Sequence, residues 1–298
     1  MASSERIFCV LVALLGGCTL LTNADDHRDG TGSDMGLGDA SVADAGDDDL
    51  GVDEDMGPPT DMTAPDDMVT DMPPPDSDCG VADLNGGSLV AAGSALYDLT
   101  DFTIEAWYRP APDSLTGDHN LFGRWNEYMV TGSYALFISD GRPSLGFSCS
   151  GPDFVEVASS VDLVADTWVH LAATFDASTG RARVFQNGMS VASTTIDCGG
   201  VSGPNALGDT ADLVLGYDDP RGGDPAMGLV DEARLSSIVR YTEEFSSPPR
   251  TFVSDGDTVA LYQFEDDAFP AADSSDNDNA MTREGLVGLG TVCRPEEP

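Results

Sequence analysis

No lysine occurs anywhere in the 298 residues, and 13 arginines face 53 Asp and Glu. A formal net charge of −40 excludes a nucleic-acid binder, which needs a cationic face to displace counterions. It equally opposes electrostatic docking on anionic lipid. Histidines number three and cysteines six, so soft-metal and nucleophilic chemistry have little to draw on. No Cys-x-x-Cys spacing suggests zinc, and no Ser or Cys motif accompanies a histidine. No apolar run approaches the roughly 20 residues of a membrane-spanning helix, and no long amphipathic helix can be traced.

Residues 7–15 (IFCVLVALL) form an apolar run of the length of a signal-peptide core. Leu15-Gly16-Gly17-Cys18 follows at once. This resembles the lipobox of bacterial lipoproteins, in which the cysteine is lipidated and becomes the first mature residue. The n-region departs from that pattern, because Glu5 offsets Arg6. The resemblance implies a lipid anchor on Cys18, in which two or more acyl chains hold stably where one would not. Thr19 rather than Asp follows the cysteine, which by the same resemblance favours the outer membrane of a Gram-negative cell.

Residues 19–78 hold 18 acidic residues against Arg28 alone, and no Phe, Trp or Tyr. Asp-Met pairs recur from Asp34-Met35 to Asp71-Met72, interleaved with Pro58-Pro59 and Pro73-Pro74-Pro75. Such a stretch cannot bury enough apolar area to offset its ordering entropy, so it is expected to be a disordered tether. Charge repulsion and proline extend it beyond the roughly 40–50 Å of a flexible 60-residue coil.

From residue 79 onward the composition changes. All three Trp and all seven Tyr lie here, in short segments of β character separated by turns. In 102–108 (FTIEAWY), Phe102, Ile104, Ala106 and Tyr108 share one face. In 168–175 (WVHLAATF), Val169, Leu171, Ala173 and Phe175 do. The segment 181–186 is joined to 189–196 through Asn187-Gly188, a type I′ hairpin signal because both residues need positive φ. Further strands are expected at 134–138, 143–148, 211–216, 227–235 and 258–264. The pattern predicts an all-β, two-sheet sandwich.

FTIEAWYRP (102–110), LFGRW (121–125), YALFISDGRPSLGF (134–147), DTWVHLAATFDASTGRARVFQNG (166–188) and GLVDEARLSSIVRYTEEF (228–245) resemble the concanavalin A-like, laminin-G-type jelly-roll module. VALYQFED (259–266) and ADSSDNDNA (272–280) continue the likeness in order. The resemblance implies an antiparallel jelly-roll head over 79–298. Four cysteines remain in that head, which suits an exported, disulfide-bonded domain and allows three pairings. The ends of a jelly roll tend to lie on adjacent strands, which favours Cys79–Cys293 and leaves Cys149–Cys198.

Some members of that superfamily are glycosidases carrying Glu-x-Asp-x-x-Glu on one strand. The nearest approach, Glu265-Asp266-Asp267, ends in Pro270. Glu105 has no second carboxylate beside it in sequence, so a hydrogen-bonded structural role is expected for it. The same reading makes His170 a satisfied core histidine. Relatives of this type often bind calcium at a rim. Asp273, Ser275, Asp276, Asn277 and Asn279 form one oxygen-rich cluster, and Asp218, Asp219 and Asp224 another, broken by Arg221. Trp125 and Tyr128, beside Arg124 and Asn126, make an aromatic-polar cluster suited to sugar. The expectation is a non-catalytic, lectin-like, lipid-anchored module binding glycans or surface proteins, with calcium assistance. A carbohydrate-active enzyme and a purely structural adhesion component are the alternatives.

Overall fold

The computed structural model describes residues 79–125, 134–149, 154–198, 211–217, 224–266 and 268–294. All belong to one unit, Asp67–Pro298. Cys18, the tether, Asn126, Tyr128, Asp218 and Asp219 lie outside the described residues. The strands in chain order are β1 (Gly80–Asp83), β2 (Ser88–Ala91), β3 (Phe102–Pro110), β4 (Asp118–Trp125), β5 (Tyr134–Ser139), β6 (Arg142–Ser148), β7 (Phe154–Ala158) and β8 (Val169–Asp176). They continue as β9 (Arg181–Gln186), β10 (Met189–Thr195), β11 (Asp212–Tyr217), β12 (Asp224–Pro225), β13 (Gly228–Ser236), β14 (Thr258–Tyr262), β15 (Thr282–Glu284) and β16 (Gly288–Thr291). Among the described residues there is no α-helix, and so none long and apolar enough to cross a membrane.

Two sheets form the sandwich. The first runs β10-β9-β8-β3-β13-β1-β16, with β14 also paired to β13. The second runs β15-β2-β11-β4-β5-β6-β7, with β12 beside β4. Apart from the short parallel β12–β4 contact, the pairings are antiparallel. Alternation decides what each strand buries. On β3 the even residues Phe102, Ile104, Ala106 and Tyr108 enter the core, where Phe102 stacks on Tyr134 of the opposite sheet at 4.7 Å. Asn187 and Gly188 take φ of 49° and 79° and close the β9–β10 hairpin.

The outer face of the first sheet does not meet water as simple alternation would have it. Of the odd residues of β3, Thr103 and Glu105 are fully buried. They lie beneath an irregular segment, residues 237–257, that crosses this face. Thr103 donates to the Ile238 carbonyl, and Phe245 N–H donates to the Gly188 carbonyl. Gly188 must stay a glycine here, since a Cβ would collide with the Phe245 carbonyl.

Cys79 is bonded to Cys293 and Cys149 to Cys198. The first bond fastens β1 to the chain just after β16, its antiparallel neighbour.

Candidate functional site

Beneath the 237–257 cover sits a charged cluster almost closed to solvent. Glu105 on β3 receives Nε and Nη2 of Arg234 on one carboxylate oxygen, at 2.9 and 2.7 Å. Its other oxygen meets His170 Nε2 at 3.0 Å and accepts from the Tyr241 hydroxyl at 2.8 Å. Strand register puts these groups together: Glu105 lies opposite Ala172 of β8 and Arg234 of β13. Burial pushes the Glu105 carboxyl up, but the hydrogen bonds and charge of His170 and Arg234 outweigh it and hold the group below the usual carboxylate range. Phe252 packs under the Arg234 guanidinium, 4.6 Å from its ring centre. This is a tie between the sheet and its cover, with neither Glu105 nor His170 reaching the surface.

A bulge re-aims the next carboxylates. The β13–β3 register slips between Val230 and Ala233, so Asp231 and Glu232 leave the regular ladder. Asp231 forms an ion pair with Arg294, its Oδ2 2.7 Å from Nε, and Glu232 accepts the Phe252 backbone N–H at 2.7 Å. Burial raises both carboxyls to about 7, against the pull of Arg294 on Asp231 and of the Phe252 and Gln263 hydrogen bonds on Glu232. The folded chain therefore keeps protons there that the unfolded chain releases near pH 4. Their stabilising contribution is complete below about pH 4 and is lost as pH rises through about 7. Thermal unfolding should show stability falling between pH 5 and 7, by on the order of 1 kcal/mol per pH unit. Glu232→Gln should flatten that slope, and an unchanged slope would refute the assignment.

Beside this cluster, at the margin of the cover, a cleft of about 340 Å³ opens. Trp107 of β3, Trp168 just before β8, and Asn187 of the β9–β10 turn form one side. Ser246, Pro248 and Arg250 of the cover and Arg294 of the chain end complete it. Both indoles are half-buried. Trp107 is fixed by donating Nε1–H to the Pro249 carbonyl at 2.9 Å. Asn187 is fixed by accepting the His170 N–H on its side-chain oxygen. The Arg294 guanidinium lies over the Trp107 ring, 4.6 Å from its centre. Two indole faces, an amide and two guanidinium groups thus line one concavity.

Of the residues singled out from the sequence, the described ones lie outside this cleft. Arg124 corrects the expectation of a surface contact: its side chain is fully buried, paired with Asp98, and stands over the Tyr97 ring at 5.9 Å. Trp125 ends β4, and its side chain is outside the described residues, as are Asn126 and Tyr128. In the Asp273 cluster the carboxylate is engaged within the chain. Asp273 spends one oxygen on the Leu261 and Ser275 N–H groups and the other on the Ser275 hydroxyl and Asn279 N–H. Asn277 and Asn279 turn their NH₂ groups, not their oxygens, to the Thr258 and Val259 carbonyls. The cluster is a staple on β14, and Asp276 beside it is exposed. Of the second acidic loop only Asp224 is described; it is exposed and pairs with His119 through β12. Among the described residues no three His, Cys, Asp or Glu come together as a metal-holding group.

A laminin-G family model, described as the concanavalin A-like lectin/glucanases superfamily, matches residues 84–245. No curated protein sequence matches the chain significantly. Among solved structures, a candidate carbohydrate-binding protein of Bacteroides ovatus superposes with a TM-score of 0.55 at 18% identity, over 73% of this chain and 61% of that one. The chain therefore spans about three fifths of that relative's length. A heptameric SAP-like pentraxin of Limulus polyphemus gives 0.47 at 12% identity, over 74% and 98%. The CBM40 of a Ruminococcus gnavus IT-sialidase gives 0.42 at 13%, over 54% and 91%. At these identities the likeness is one of fold.

Proposed function

Because this chain belongs to the concanavalin A-like lectin/glucanases superfamily, we propose that its sandwich is a non-catalytic glycan-binding head. In this reading the head is exported, anchored in the outer membrane through lipid on Cys18, and set away from the bilayer by the acidic tether. The observation that carries the binding part is the cleft of Trp107, Trp168, Asn187, Arg250 and Arg294. Pyranose rings present C–H faces that pack on indoles, while hydroxyls bond to amide and guanidinium groups. The volume is at the lower end of small-ligand sites, enough for one or two sugar units.

The enzyme alternative draws on Asp231 and Glu232, whose carboxyls hold protons up to about 7, as general acids do. Against it, both side chains are at most 2% exposed, so neither presents itself to a glycosidic oxygen. A hydrolysis panel over neutral and acidic polysaccharides separates the two readings, and turnover that disappears in Glu232→Gln would replace the lectin reading by the enzyme one.

The direct test is a glycan array probed with the full chain, in calcium and again in EDTA. Binding is expected, and Trp168→Ala should weaken it at least about tenfold, the equivalent of roughly 1.4 kcal/mol. An array without signal in either buffer, or signal indifferent to Trp168, would end the proposal for this cleft.

A further inference from the structure

The cleft has a feature that sugar binding in general does not require. In a chain of net charge −40 with only 13 basic residues, two arginines meet at one concavity. They clasp each other through their backbones: Arg250 Nη2 donates to the Arg294 carbonyl at 3.1 Å, and Arg294 Nη2 donates to the Arg250 carbonyl. Burial works most against the protonated form of Arg294 and the nearby Arg250 charge adds to it, while Asp231, Glu232 and Glu265 act the other way. An arrangement that confines like charges makes physical sense where an anion comes between them.

Arg294 carries the second observation. Its side chain is 8% exposed, so nine-tenths of it is enclosed. Its Nε faces Asp231 in an ion pair, Nη2 donates to the Arg250 carbonyl, and the plane of the group rests on Trp107. Nη1 is buried with no hydrogen-bond partner. An unmet donor of a buried charged group is costly, and an oxygen entering from the cleft would remove that cost. Asp231 does not fully neutralise the guanidinium near pH 7, since burial raises its own carboxyl into that range.

We propose that the cleft selects glycans bearing a carboxylate, such as uronic or nonulosonic acid units, with Arg294 and Arg250 receiving the carboxylate while Trp107 and Trp168 take the sugar ring. The assignment rests on the glycan-binding reading and narrows it to acidic sugars. Arg is suited to this part because its planar fork matches the two carboxylate oxygens, and lysine does not.

The probes are tetragalacturonate and its fully methyl-esterified form, and sialyllactose against lactose, titrated into the full chain by calorimetry. Each acid should bind at least about tenfold more tightly than its neutral counterpart, with the preference shrinking as salt is raised. Arg294→Lys keeps a cation for Asp231 but loses the fork; it should abolish the preference while leaving the melting transition near its parent value. Should that variant unfold, Arg250→Gln, at an exposed position, is expected to reduce the preference several-fold. Trp168→Ala should weaken acidic and neutral ligands alike. Equal affinity for acid and ester, or a preference untouched by both arginine variants, overturns this inference and leaves the lectin proposal standing. No binding of any probe, together with a silent array, removes the lectin proposal itself.

Discussion

Glu105→Ala should destabilise the sandwich by about 3–5 kcal/mol, lowering its melting temperature by on the order of 10 °C. The magnitude comes from what the substitution strands. Arg234 is 5% exposed and would keep only the Val253 carbonyl, at 3.2 Å, as a partner. The Tyr241 hydroxyl would lose its acceptor, and His170 its carboxylate. An isolated buried guanidinium costs far more than the intact pair contributes, so removing both members is milder than removing one. Glu105→Met combined with Arg234→Met should therefore recover much of the loss. Because Tyr241 and Phe252 hold the 237–257 cover to this cluster, hydrogen exchange in the cover should accelerate in the single variant. A loss below about 1 kcal/mol, with the cover as protected as before, would show the cluster to be incidental.

That cluster marks the boundary of what the sequence makes legible. The central strands could be placed closely: 102–108, 181–186 and 189–196 are expected, and 102–110, 181–186 and 189–195 are found. They are readable because alternation and the Asn187-Gly188 turn are local signals. Strands β1, β2, β15 and β16 have four, four, three and four residues. That is too short for a period of two to stand out, and they form only because distant partners supply the ladder. The 237–257 cover has no periodicity at all, so nothing local announces that it buries the odd residues of β3. Glu105 and His170 could each be expected to be structural, but their pairing depends on the β3–β8 register. The cleft is further out of reach, because its seven lining residues come from five separate stretches of chain. Proximity in sequence instead drew attention to Arg124, which the fold buries. Strand parity could have excluded Arg124 from a surface, since it shares a face of β4 with the core residue Phe122. The Asp273 cluster is ambiguous in sequence for a related reason: oxygen-rich composition suits calcium and a hydrogen-bonded staple equally.

The second large effect is expected from Cys79→Ser combined with Cys293→Ser. The bond spans 214 residues, and freeing a loop of that length returns about 5 kcal/mol of chain entropy to the unfolded state, an upper figure for this model. Cys149–Cys198 closes only 49 residues and should contribute nearer 4 kcal/mol by the same reasoning. The two bonds differ more in consequence than in size. β16 is four residues long and partly exposed, and among the described residues it pairs with β1 alone. Without the crosslink little besides that ladder and the Arg294 contacts keeps the chain end in place. Arg294 follows Cys293 directly, so its hold on Trp107, Asp231 and the Arg250 carbonyl depends on the same tie. Serine at both positions should therefore lower stability, change indole fluorescence as the guanidinium leaves Trp107, and weaken ligand binding in the cleft. The Cys149→Ser, Cys198→Ser variant should lose stability while leaving that fluorescence as it was. Denaturant unfolding and emission spectra of the two double variants test this directly. If both lose stability with the same spectral change, or if the Cys79 variant keeps full binding, the chain end is not what holds the cleft in shape.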